Sequence, residues 1–211
     1  EAIPSENELA AHYRVAVGTV KKALAELSRE GAVVRLQGRG TFVARPDFGR
    51  SFFRFFRFDL DPALGSRIVP GARVLASRIT RPAPEVRKAL RLGRGGQVLR
   101  ITRLRTWEDV PLMYEDIFLP ADRFKGLEQV DISQRLLYPI YDTRFATPVI
   151  WAEEFLEPRL ATANLAGYLG LREGDPVIYV ERTAYTYEDL PVEFRCSFGR
   201  GDRFRYHIEL R

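Results

Sequence analysis

The carboxyl-terminal part of the chain contains an internal repeat. "ALRLGRGGQVLRITRLRTWEDVPLMYE", from Ala89, aligns with "YLGLREGDPVIYVERTAYTYEDLPVEF", from Tyr168. Leu90, Leu92, Gly95, Val98 and Arg103 fall on Leu169, Leu171, Gly174, Val177 and Arg182, and Glu108-Asp109 and Pro111 on Glu188-Asp189 and Pro191 one residue further along. Each copy reads as the end of a helix, a glycine turn, a long strand, an acidic turn and a returning strand. Two such hairpins, with "FRYHIEL" as a last strand, predict one antiparallel sheet with helices on one side, an α+β domain. "APEVRKAL" and "EPRLATANLAGYL" are the expected helices.

The amino-terminal segment has a different grammar. Ser5 and Glu8 have the spacing of a capping box, so a short helix runs to about Tyr13. In "VGTVKKALAELSREG", Val20, Ala23, Leu24 and Leu27 recur at helical spacing up to Gly31, a natural helix stop, which predicts a second helix from Val17 to Glu30. The short link between the helices makes them cross sharply. "AVVRL" and "TFVAR" are strand-like and flank Gln37-Gly38-Arg39-Gly40, a hairpin. Helix, turn, helix, hairpin is the order of a winged helix. Between the two parts, "DFGRSFFRFFRFDLDPALGSRIVP" carries Phe52, Phe53, Phe55, Phe56 and Phe58 and is expected to dock rather than act as a free tether.

Composition narrows the chemistry. The 211 residues are 45% hydrophobic and carry a formal charge of +5, which favours anionic partners without naming them. One cysteine, Cys196, excludes an intramolecular disulfide framework, and with only His12 and His207 beside it leaves little for a zinc site, so no metal or cofactor is expected. No run is long and apolar enough for a membrane span, and the start does not read as a signal peptide, so a cytoplasmic protein is expected. The chain lacks an initiator Met and is expected to begin inside a domain.

The second helix would meet a DNA major groove through Gly18, Thr19, Lys21 and Lys22, the polar set left outside its apolar stripe. Two adjacent lysines are also what a solvated helix face looks like. At the hairpin tip, Gly38 and Gly40 permit close backbone approach and Arg39 can reach a groove or a phosphate, although turns of this composition occur in hairpins that bind nothing. A nucleotide cradle fits worst, because Gly40 leads into a strand rather than Lys-Ser/Thr and a helix.

In the strand "VLRITRLRTW", alternation puts Leu99, Ile101, Arg103, Arg105 and Trp107 on one face. Buried arginines need a carboxylate or an anionic ligand. A three-residue loop, Glu108 to Val110, would set Arg103 opposite Glu115 and Arg105 opposite Met113, and a two-residue loop would turn Glu115 to the other face. The pair reads either as a structural salt bridge or as part of an anion site.

Taken together, "IPSENELAAHYRVAVGTVKKALAELSREGAVVRLQGRGTFVAR" resembles the winged-helix domain of GntR-family bacterial transcription regulators. The resemblance implies a helix preceding this start, and DNA contacts at Asn7, Gly18, Thr19, Lys21, Gln37, Gly38, Arg39, Gly40 and Thr41. Asn7 and Val17 stand where many members have Arg, and Ala16 where a serine cap is usual, which implies a different operator. From about Arg73, the segments "APEVRKALRL", "RITRLRTWEDVPLMYEDIFLP", "LLYPIYD", "LGLREGDPVIYVER" and "LPVEFRCS" resemble the UTRA effector domain of the HutC branch, with its chorismate-lyase-like fold. Residues 1–46, 47–72 and 73–211 are then a winged helix, a linker, and a ligand-binding and dimerisation domain. The resemblance implies an effector pocket lined by Arg103, Arg105 and Glu115, with Glu193 and Tyr138 contributing. It implies a homodimeric repressor on a pseudo-palindromic operator, released by a small anion. Leu136 and Gly199 depart from sugar-phosphate-binding relatives and point instead to a carboxylate with an apolar or aromatic body. A lyase-like enzyme using Glu193 as general acid, and a nonspecific DNA binder, are the competing readings.

Overall fold

The computed structural model describes residues 3–29, 32–36, 40–43, 58–59, 70–133, 136–203 and 205–206. The chain divides into two compact units, with the boundary at Phe52 and Phe53. The phenylalanines of the linker and the expected terminal strand beyond Tyr206 lie outside the described residues, apart from the backbone of Phe58.

In the first unit, α1 (Glu6–Tyr13) and α2 (Val17–Arg29) precede β1 (Val33–Leu36) and β2 (Gly40–Val43). The capping box forms as expected: Ser5 N and Oγ both donate to Glu8 Oε2 at 2.7 Å, and Glu8 N donates back to Ser5 Oγ. Arg14, left-handed at φ 53°, ends α1 and turns the chain into α2 within three residues. β1 and β2 pair antiparallel, with Val33 opposite Val43 and Leu36 opposite Gly40. Ile3 N donates to Thr41 O at 2.9 Å and so ties the hairpin to the segment before α1. The core is smaller than the helical spacing predicts. Ala10, Val20 and Leu24 are buried, with Ile3 and Leu9 packed on them, but Ala23 is exposed and Leu27 is 38% exposed. Two short helices and a two-stranded ribbon have mass enough to cover one stripe of α2 and not the whole apolar face.

The second unit contains β3 (Phe58–Asp59), β4 (Gly71–Thr80), α3 (Pro84–Ala89), β5 (Val98–Trp107), β6 (Val110–Pro120), α4 (Leu137–Phe145), β7 (Trp151–Leu160), α5 (Ala163–Leu169), β8 (Pro176–Tyr185), β9 (Pro191–Arg200) and β10 (Arg205–Tyr206). β4 begins two residues before the expected domain start, and β3, inside the expected linker, pairs with β10. Six strands form one antiparallel sheet in the order β4-β5-β6-β9-β8-β7. The order reflects the duplication: strand, helix, hairpin occurs as β4-α3-β5-β6 and again as β7-α5-β8-β9, and the two copies meet where β6 pairs with β9.

Both faces of the sheet are covered, whereas the sequence predicted helices on one. Val86 and Leu90 of the α3 region pack on Val98 and Phe194, and Leu165, Ala166 and Leu169 of α5 pack on Leu104 and Val177, all on one face. α4 lies on the other face, where its Tyr138 and Tyr141 reach β9. "LLYPIYD" escapes the helical template because Pro139 and two tyrosines obscure the period, yet Pro139 sits in the first turn, where its missing N–H has no intrahelical partner to lose. The expected helix at Glu157 starts late. Glu157 to Leu160 extend β7, and Thr162, whose Oγ1 accepts from Leu165 N, caps α5.

Candidate functional site

The register that creates the site differs from the expected one in its means and agrees in its result. Arg103 stands opposite Glu115 and Arg105 opposite Met113, the pairing a three-residue loop would give, but the connection is a two-residue turn closed by Trp107 opposite Val110. Glu108 (φ 46°) and Asp109 (φ 63°) take the left-handed conformations of a type I′ turn. The residue by which this falls short of the expected loop is supplied by a bulge at Leu112, between the pairs Thr106–Pro111 and Arg105–Met113. The second hairpin repeats the device, with Val192 the extra residue between Tyr185–Pro191 and Ala184–Glu193. Each bulge turns a carboxylate onto the α4 face, Glu115 four residues beyond Pro111 and Glu193 two residues beyond Pro191.

On that face the charged groups form one connected network. Arg103 Nε donates to Glu115 Oε2 at 2.6 Å, and Arg195 Nη1 donates to Glu115 Oε1 at 2.9 Å. Arg195 also grips Glu193 with two bonds, Nε to Oε1 at 3.0 Å and Nη2 to Oε2 at 2.7 Å. The hydroxyls of Tyr138 and Tyr141 donate to the same carboxylate at 3.0 and 2.7 Å. Arg182 Nη1 donates to the Tyr138 hydroxyl at 3.2 Å, and its Nε to Glu154 Oε1 at 2.6 Å. Arg103, Arg105, Glu115, Arg182, Glu193 and Arg195 are all buried, Glu193 completely. In such surroundings charged hydrogen bonds are strong and an unmatched group is costly.

The electrostatics lean toward positive charge. Burial alone would raise Glu115, but the guanidinium groups of Arg103, Arg195 and Arg105 outweigh it and hold the carboxyl at about 2. Arg105 is pushed down to about 10, first by burial and then by Arg103, with Arg195 adding to the repulsion and Glu115 opposing it. Burial and the neighbouring Glu193 raise Tyr138 to about 12, against Arg182 and Arg195, so it remains a neutral donor near neutral pH. Arg103 Nη1 is buried and, among the described residues, has no hydrogen-bond acceptor. A buried guanidinium donor without an acceptor is what a bound anion would satisfy.

The five residues expected at this site do not hold equal positions. Arg103, Arg105 and Glu115 face one another across β5 and β6. Glu193 belongs to the same network but is already engaged by Arg195 and both tyrosines, so it supports the site rather than standing free as an acid. Tyr138 spends its hydroxyl on Glu193 and Arg182. Sequence reasoning missed Arg195, Arg182, Tyr141 and Glu154. Arg195 was open to the alternation rule, two residues beyond Glu193 on "EFRCS", and Arg182 to its repeat partner Arg103. Cys196, on the opposite face, has its thiol raised to about 11 by burial, despite the hydrogen bond from Tyr179, and is no activated nucleophile.

In the first unit, Asn7, Gly18, Thr19 and Lys21 are exposed on α1 and α2. Lys21 Nζ lies 3.9 Å from Glu6 Oε2, and Glu6 also pairs with Arg35 at 2.9 Å, an exposed basic residue of β1 that the sequence reading passed over. A side chain at Gly18 would meet no atom within 4 Å. Gly40 has φ +108°, a conformation that favours glycine, and begins β2 next to the half-buried Thr41. Gln37, Gly38 and Arg39, the expected tip, lie outside the described residues.

Residues 1–43 match the family described as bacterial regulatory proteins, gntR family, and residues 65–205 match the UTRA domain. The chain belongs to the GntR family of bacterial regulators. It is 31% identical over 205 residues to the HTH-type transcriptional repressor NagR of Bacillus subtilis, an alignment covering 97% of this chain and 83% of that protein. The ligand-binding domain of a GntR-family regulator from Bordetella bronchiseptica superposes with a TM-score of 0.68 at 31% identity, over 75% of this chain and 98% of that one. PhnF from Mycobacterium smegmatis superposes with a TM-score of 0.64 at 26% identity, over 100% and 92%. This regulator therefore combines a DNA-binding winged helix with an effector domain, and its kinship is with repressors rather than enzymes.

Proposed function

We propose that this GntR regulator is released from its operator by a small anion bound at Arg103, Arg105 and Glu115. The observation that carries the reading is the buried Nη1 of Arg103, which meets no acceptor among the described residues, in a site cationic enough to depress Arg105. An oxyanion there would accept from Arg103 and relieve the repulsion between the arginines. Apolar and aromatic neighbours, with Leu136 and Gly199 at positions where sugar-phosphate binders differ, favour a carboxylate with an apolar body. The α2 amino-terminal residues and the wing, including Arg39, would read the operator, and a homodimer would place two heads over a pseudo-palindromic site in the cytoplasm. Release requires that the effector prefer the arrangement that does not hold DNA.

The test is a thermal-shift series comparing benzoate and short aliphatic carboxylates with glucose 6-phosphate and inorganic phosphate. Stabilisation by carboxylates in the native protein, lost in Arg103→Gln, is the expected result. A shift with the sugar phosphate and none with any carboxylate would overturn the assignment of ligand class.

A further inference from the structure

The network around the arginines does not end at the ligand position. Glu115 divides its oxygens between Arg103, on the ligand side, and Arg195. Arg195 divides its donors between Glu115 and Glu193. Glu193 in turn holds two hydroxyls of one helix, Tyr138 and Tyr141 of α4. A branch continues from Tyr138 through Arg182 to Glu154 on the edge strand β7. Each step is a charged or charge-assisted hydrogen bond between groups that are buried or nearly so, where redistribution of charge at one end is poorly screened before it reaches the other.

We propose that Arg195 is a positioning residue that makes α4 the element responding to occupancy of the arginine site, through Arg103–Glu115–Arg195–Glu193–Tyr138/Tyr141. The inference rests on the effector-site reading above. An anion accepted by Arg103 competes with Glu115 for that guanidinium. Glu115 then leans on Arg195, which must share its donors differently between two carboxylates, and Glu193 changes its hold on the tyrosines. Lysine cannot substitute for Arg195, because a single ammonium lacks the fork that engages both carboxylates at once. α4 is also held by apolar contacts: Leu137 and Ile140 are buried, and the Tyr141 ring lies 4.7 Å from that of Phe124. The helix therefore stays folded on the sheet while its polar anchor changes.

Hydrogen–deuterium exchange of the full chain tests this without requiring the natural effector. In the absence of ligand, Glu115→Gln and Arg195→Lys are each expected to speed exchange of the α4 amides about tenfold, the effect of weakening one buried charged hydrogen bond on local opening. Arg100→Gln, which breaks a pair with Asp116 on the opposite face, is expected to leave α4 unchanged and controls for general destabilisation. With benzoate, the wild type should change exchange in both the β5–β6 hairpin and α4, whereas Arg195→Lys should change the hairpin alone. If Glu115→Gln does not fold, Arg195→Lys and Tyr141→Phe carry the comparison. Unchanged α4 exchange in these variants, or equal acceleration throughout the sheet, would overturn the relay. A benzoate response in the wild-type hairpin without one in α4 would also overturn it and leave the effector site standing. No response in the hairpin to benzoate or glucose 6-phosphate would overturn the site reading, and the coupling to occupancy with it.

Discussion

The two units of this regulator carry similar kinds of charge in opposite settings. In the winged helix, Lys21, Arg29 and Arg35 sit on the surface, 62%, 72% and 47% exposed at their side chains, and their partners Glu6 and Glu26 are exposed or half-exposed as well. In the sheet domain, Arg103, Arg182 and Arg195 are less than 10% exposed and meet carboxylates exposed by 12% or less. Surface pairs of the first kind contribute little to stability and can be traded for phosphate contacts. Buried pairs of the second kind cannot be broken singly without stranding a charge. The contrast teaches how one chain divides its labour. On the proposed function, the surface that must release DNA keeps its cations solvated, whereas the site proposed to discriminate among anions holds its cations dry and fixed.

The largest expected effect that would break this comparison is on stability. Glu115→Ala strands Arg103 and Arg195 together and should cost about 3–5 kcal/mol in urea unfolding of the sheet domain. Arg35→Ala, the exposed counterpart, should cost about 1 kcal/mol or less. Similar losses would erase the distinction between the two settings.

The pH dependence sharpens the same point. The folded pKa of Glu115, at about 2, lies below its ordinary 4.5. Its stabilising contribution is therefore present above pH 4.5 and disappears as pH falls toward 2. Glu115→Gln should be less stable than wild type at neutral pH and should lose less stability across that acid window. Parallel profiles for the two proteins would contradict the depressed pKa.

On the exposed side, Lys21→Ala should weaken DNA binding and lower the magnitude of the salt slope by about 1, as expected for one lost phosphate contact. Its effect on unfolding should be small, since the 3.9 Å pair with Glu6 is solvated. A modest effect is expected at the cap. Ser5→Ala removes the acceptor for Glu8 N and should destabilise the first unit by about 1 kcal/mol, read from its thermal unfolding.

What could be read in advance follows from how local each signal is. The capping box, the α2 boundaries and the pairing of Arg103 with Glu115 depend on residues close in sequence, and periodicity of 3.6 or 2 suffices for them. The duplication gave access to the two hairpins for the same reason, since an aligned repeat turns one weak pattern into two that agree. The hairpin loop was misjudged because a turn and a bulge can be exchanged at constant register, and only the left-handed angles at Glu108 and Asp109 tell them apart. α4 and its placement on the second face were hidden, because Tyr138 and Tyr141 are buried for their hydroxyls as much as for their rings. Arg195 and Glu154 reach the site from β9 and β7, and a pairing between strands distant in sequence is not encoded in either strand alone.

The most direct measurement is fluorescence anisotropy of a labelled duplex from the DNA flanking the regulator's own gene, against an unrelated duplex, at two salt concentrations and with benzoate. Wild type should prefer the flanking DNA at both salts and be released by the carboxylate. Arg103→Gln should bind that DNA within about twofold of wild type and resist release, because its change lies in the proposed effector site and not in the surface proposed to meet phosphate. Equal, steeply salt-dependent binding to both duplexes, or a loss of DNA affinity in Arg103→Gln as large as in Lys21→Ala, would contradict the division between a solvated DNA surface and a dry anion site.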